Sequence, residues 1–189
     1  RVINNITASA SMYLIKTIFS VVLSIGMILF GHGYPFKPIQ LTVISACCVG
    51  IPTFFLTYEP NFKRVSGDFL KTVFKNAFPF AFMIAICSTI IVNGGRVLGL
   101  EKEMLSTICV LLTSWCYYSG LRHIYAPLSH YRIFVIYIMQ IVLYISLIVG
   151  HQFLGLGNID YIGAITLMFL VTFSKVIYLF NFELFDYVY

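Results

Sequence analysis

The chain has 189 residues, 60% of them hydrophobic and only 10% charged, with a formal charge of +5 and a mean hydropathy of +0.93. A water-soluble domain of this size could not hide so much apolar surface, so the lipid bilayer must be the solvent for most of it. The twelve Lys and Arg are spread, mostly over connections and without a basic run, which argues against a nucleic-acid surface and fits topology signals.

The expected fold is all-α, a polytopic membrane protein whose single domain, 1–189, is a bundle of six transmembrane helices. Crossing a ~30 Å hydrocarbon core takes roughly 18–23 apolar residues, and six such stretches run over 8–30, 38–58, 72–92, 104–121, 131–149 and 161–180. In the first, Lys16 is the only ionisable residue well inside. A lysine at a helix centre costs about 2.5–3.5 kcal/mol, so it must face protein, water or a partner, or snorkel to the interface from a site near the helix start. Lys16 is therefore either an interfacial anchor or a fixed positive charge beside an ion path. Thr17 and Ser20 flank it, with hydroxyls that can also bond back to their own helix.

The second stretch is broken in its middle by Gly50-Ile51-Pro52. Pro52 removes a backbone donor and its ring clashes with the preceding turn, so the helix must bend or unwind. Freed carbonyls in hydrocarbon need partners, which makes such a break tolerable inside a bundle, where it can line a solute path. Ser45, Cys48 and Pro52 share a helical face by their spacing and could present hydroxyl, thiol and carbonyl groups to an ion. Cys47-Cys48 invites a soft-metal reading, but adjacent residues on a helix diverge by about 100° and two thiols without a third ligand make a poor site.

Further along, Gly94-Gly95 reads as a turn, and Tyr117, Tyr118, Tyr125 and Tyr131 read as an interfacial aromatic belt. The five cysteines have no regular spacing and are expected to be buried thiols. His32, His123, His130 and His151 are expected in loops, where they cannot form an intramembrane metal site. No glycine-flanked serine with a partner base and no phosphate loop is present, so no catalytic residue or bound cofactor is expected in this chain.

Orientation follows from the connections. Arg1, Lys63, Arg64, Lys71, Lys75, Arg122 and Arg132 fall on one side, and Lys37, Arg96 and Lys102 on the other. Seven against three predicts both termini in the cytoplasm of a multi-pass cell-membrane protein, with Lys175 snorkelling to the same side. The chain opens at Arg1 with neither an initiator Met nor a secretory signal, and is expected to be a piece of a larger protein.

Two stretches together resemble the C-terminal membrane region of P-type cation-transporting ATPases. RVINNITASASMYLIKT, from Arg1 to Thr17, is similar to the family's fifth membrane helix, which begins as a stalk with an Arg and the pair Asn4-Asn5. YPFKPIQLTVISACCVGIPTFFLTYEPN, from Tyr34 to Asn61, is similar to the sixth, with its Pro-x-Gln-Leu start, Gly-x-Pro break and trailing Pro. GDFLKTVFKNAFPF, from Gly67 to Phe80, fits the next connection and helix, and the match covers roughly a third of the chain. It looks closest to a bacterial branch linked to calcium or other divalent cations.

The resemblance implies an ATP-driven pump working through an aspartyl-phosphate, with ATP and Mg required by the full-length protein. Its phosphorylation sequence and fourth helix would lie upstream, so the implied partners are the bilayer, a transported cation (divalent favoured, calcium possible), the upstream helices and a cytoplasmic phosphorylation domain. The connection from Glu59 to Lys71 would touch that domain. Alignment from Arg1 and Tyr13 puts the family's ion-binding Asn and Glu of the fifth helix at Ile18 and Val21. Alignment on Gln40 and Pro52 puts the Asn, Thr and Asp of the sixth at Ser45, Cys48 and Val49. The calcium-pump carboxylates are thus absent from these helices. The ion-pathway candidates are Lys16, Thr17, Ser20, Ser45, Cys48, Gly50 and Pro52. A self-contained six-span carrier or channel subunit without ATP chemistry is the alternative, and a structural anchor with a merely packed kink is a third.

Overall fold

The computed structural model of the chain describes residues 2–59, 68–158, 163–169 and 171–172. Five helices long and apolar enough to cross a membrane lie among them. They begin with α1 (Val2–Leu29). The second rod is composite: α2 (Pro38–Ile44), a π-helical segment (Ser45–Gly50) and α3 (Ile51–Leu56). Then come α4 (Phe69–Val97), α5 (Lys102–Ile124), α6 (His130–Val149) and the short α7 (His151–Leu154). Residues 163–169 and 171–172 are helical too. The rest of the expected sixth span at 161–180, with Lys175, lies outside the described residues, as do Arg1, Lys63, Arg64 and most of the connection from Glu59 to Lys71.

The bundle is built around α5. In its most apolar window 83% of residues are buried, against 28% for α1. The reason is compositional: Ser106, Thr107, Cys109, Thr113, Ser114, Cys116 and Gly120 are small and let neighbouring helices approach. At Gly120 an added Cβ would already stand 3.5 Å from the Phe80 ring and 3.6 Å from Ile15. α4 packs between α1 and α5, while α6 closes against α3 and the π segment. Met12, Ile15, Phe19 and Leu23 form the inward stripe of α1, spaced three and four apart, and Val21, Ile25 and Ile28 face outward.

Three expectations fail here. Gly94-Gly95 is no turn but part of α4, because Gly95 leaves the room that the Leu105 side chain of α5 fills. The aromatic belt reduces to Tyr131: Tyr117, Tyr118 and Tyr125 are at most 1% exposed, drawn inward because neighbouring helices cover the side of α5 that leads into them. His123 stands in the last turn of α5, and His130 and His151 open α6 and α7, so only His32 occupies a connection. All five cysteines are free and buried.

Candidate functional site

The interruption in the second rod starts earlier than Pro52. From Ser45 the backbone widens into π register, and the Ile51 amide reaches back five residues to the Ala46 carbonyl. Pro52 follows with no amide proton, so the next five-back acceptor, the Cys47 carbonyl, is left without its backbone donor. The Tyr118 hydroxyl of α5 donates to that oxygen at 3.3 Å. One turn on, the Thr53 hydroxyl lies 2.7 Å from the Val49 carbonyl and 3.0 Å from that of Gly50. A lone hydroxyl proton serves one of the two at a time.

One side of this widened turn faces protein, while Ala46 on the other side is exposed. Cys48 and Val49 are fully buried and Thr53 nearly so, with Cys47 and Pro52 beside them. The Cys48 thiol faces the Tyr118 and Ser114 hydroxyls. From the other side α1 approaches: a Cβ on Gly50 would stand 3.9 Å from the Tyr13 hydroxyl. Hydroxyl, thiol and carbonyl oxygens therefore converge between α1, the π segment and α5. No carboxylate is part of the cluster, and among the described residues no group of three His, Cys, Asp or Glu could hold a metal ion.

The other candidates from the sequence are less drawn in. Ser45 is half-buried and bonds back to the Leu41 carbonyl at 2.5 Å. Thr17 bonds to the Tyr13 carbonyl at 3.4 Å and Ser20 to that of Thr17 at 3.1 Å, both within α1. Lys16 is half-buried, has no hydrogen-bond or ion-pair partner among the described residues, and shares a face of α1 with Tyr13 by its i+3 spacing. Sequence reasoning missed Tyr118 and gave Thr53 no role. The available signal was the pair Ser114 and Tyr118, four apart on a helix with apolar neighbours, which marks an inward polar stripe.

Both ends of the broken rod are anchored. At its start, buried Gln40 accepts from the Lys37 amide (2.9 Å) and the Ser106 hydroxyl (3.0 Å) and donates to the Leu154 carbonyl (3.0 Å). At its finish, Asn5 donates to the Thr57 carbonyl (2.9 Å) and Tyr131 to that of Phe55 (3.1 Å). Glu59 accepts from Ser129 (2.6 Å) and pairs with buried Arg132 at 3.2 Å. The Arg132 guanidinium also donates to the Tyr125 and Pro127 carbonyls (2.8 and 2.9 Å).

No protein-family model matches the chain, and no solved structure matches it. Curated relatives do. The chain is 32% identical over 144 residues to a probable cation-transporting ATPase, exp7, of Streptococcus pneumoniae, with 72% of the chain covered. It is 29% identical over 129 residues to the calcium-transporting ATPase CtpE of Mycobacterium tuberculosis, and 28% over 125 residues to that of Mycolicibacterium smegmatis. These matches cover 60% and 59% of the chain. The chain spans only 16–18% of the length of these relatives.

Proposed function

Since the homologues of this multi-pass membrane chain are P-type cation-transporting ATPases, we propose that it is the C-terminal six-helix membrane part, 1–189, of such a pump and forms half of its cation path. The observation that carries the reading is the π turn at Ser45–Gly50, whose Cys47–Val49 portion is buried in the bundle and lined with exchangeable oxygens. Its carbonyls are held by hydroxyls, one of them at 3.3 Å, and a hydroxyl that gives up its acceptor can turn a lone pair towards a cation.

Within this reading the Cys47, Val49 and Gly50 carbonyls and the Thr53 and Tyr118 hydroxyls are the ligands this half supplies, with Cys48, Ser45, Pro52 and Lys16 shaping the path. Calcium takes six to eight oxygens, usually including carboxylates. The negative charge then comes from helices outside this chain, and ATP with Mg acts at a cytoplasmic domain, also outside it. A divalent cation is favoured, and the relatives named as calcium transporters make calcium the first to test. The excess of Lys and Arg on one set of connections supports termini in the cytoplasm of a cell-membrane protein.

The test is to reconstitute the full-length protein in vesicles and measure ATP hydrolysis and uptake with calcium, manganese, magnesium and potassium. Hydrolysis stimulated by one cation, together with its uptake, is expected. Flux that follows an ion gradient and ignores ATP would move the chain to the carrier alternative.

A further inference from the structure

At the end of the bundle opposite the Glu59–Arg132 pair, a cavity of about 460 Å³ opens between the α1–α2 connection, the end of α4 and the start of α5. Lys37, Arg96, Lys102 and Glu103 line it, with Tyr34 and Ser106 among its other walls. Three cations against one carboxylate leave a charge of +2 (3 − 1) around one opening. None of the three cations forms an ion pair with a described residue.

Their existing bonds go to neutral acceptors. Arg96 donates to His32 Nδ1 at 2.7 Å, and His32 in turn bonds Asn93 Oδ1 at 3.0 Å, so the guanidinium is held in place. Lys37 Nζ donates to the Gly155 carbonyl at 3.3 Å. Lys102 makes no hydrogen bond with a described residue and is exposed. Such an arrangement keeps the full positive charge available at the cavity mouth. Around it the molecule is apolar: Leu29, Phe30, Val97 and Leu98 are exposed at the same end, and Val92 and Leu105 form part of the inner wall.

From this geometry we infer that the cavity binds a phosphate-bearing anion, the headgroup of an anionic phospholipid, with Arg96 and Lys102 on the phosphate. A compact cationic rim over an apolar wall at a helix-bundle end matches an amphiphile whose charge and chains part at that level. Guanidinium and ammonium groups are the usual partners of phosphate oxygens. Burial, reinforced by Cys109 nearby, pushes the Tyr34 phenol up to about 12, so it remains a neutral donor at the rim. The site is independent of transport and holds for a pump or a carrier alike.

The test uses the full-length protein purified in neutral detergent and a short-chain fluorescent phosphatidylglycerol, with binding read by polarisation. Saturable binding is expected, weakened roughly thirtyfold in Arg96→Gln/Lys102→Gln. Lys102→Gln alone, which breaks no bond with a described residue, accounts for part of that loss while the unfolding midpoint stays at the wild-type value. A phosphatidylcholine probe should bind no better than the anionic probe binds to the double variant. Inorganic phosphate as competitor separates the sources: failure to displace the probe assigns the site to lipid, and displacement assigns it to the free anion with the same chemistry. Equal affinity in wild type and folded Lys102→Gln and double variants, or equal affinity for both lipids, overturns the inference.

Discussion

The Tyr118 hydroxyl on α5 donates to the Cys47 carbonyl oxygen, the acceptor that the π register leaves free because Pro52 has no proton to give. A side chain from one helix thus replaces a backbone donor missing from another. The bond closes the wide turn and, in the proposed cation path, is the contact a cation would displace.

Tyr118→Phe is accordingly expected to leave a buried carbonyl unpaired and to lower stability by about 1–3 kcal/mol. Pro52→Ala restores a backbone proton one turn from the same oxygen. In that background the loss from Tyr118→Phe should shrink below ~1 kcal/mol, since the backbone then serves the acceptor. Thermal unfolding of the four proteins of this cycle in detergent checks it. Strict additivity would mean that Pro52 and Tyr118 act on separate carbonyls.

If the widened turn supplies the path's oxygens as proposed, Pro52→Ala should also straighten the second rod and reduce transport by roughly tenfold or more while expression stays near normal. Turnover at the wild-type rate would show that the turn only packs.

Lys16→Ala is expected to shift the cation dependence of ATP hydrolysis in the full-length protein. The side chain is half-buried on the face of α1 that also carries Tyr13, and it has no partner among the described residues. An unchanged dependence would return Lys16 to a snorkelling anchor.

Glu59→Gln leaves the Arg132 guanidinium, 4% exposed, without its compensating charge. Since Glu59 is itself 28% exposed and partly screened, the expected loss is about 1–3 kcal/mol, not the larger value of a fully buried pair. Unfolding should show that loss, and Glu59→Gln/Arg132→Met should recover much of it.

Tyr34 gives a pH dependence. Burial first, then Cys109, raises its phenol from 10.0 to about 12 in the folded chain. The unfolded chain therefore ionises earlier, so the contribution to stability is intact below pH 10 and is lost as pH rises to about 12. Tyr34→Phe should flatten this part of the alkaline unfolding profile, and an unaltered slope would refute the assignment.

The helices were legible because each of five spans carries an apolar run long enough for a bilayer, and the lipid solvent enforces backbone satisfaction within each segment. The break was legible too, since a proline in an apolar run has local consequences wherever it sits. Gly94-Gly95 and the tyrosines misled because glycine is ambiguous between a turn and a close contact, and tyrosine between an interface and a buried donor. Only a neighbouring helix decides each case: Leu105 for Gly95, and the freed Cys47 carbonyl for Tyr118.

Sequence alone, then, determined that this is a membrane-embedded all-helical chain with a damaged second rod, because length, hydropathy and a missing amide proton are properties of the chain itself. The tertiary structure alone decided that the damage spreads upstream into a π turn, that its Cys47–Val49 side faces the interior, and which hydroxyls close it. Those facts depend on what α1, α5 and α6 bring alongside, and no run of consecutive residues encodes a contact between helices seventy positions apart.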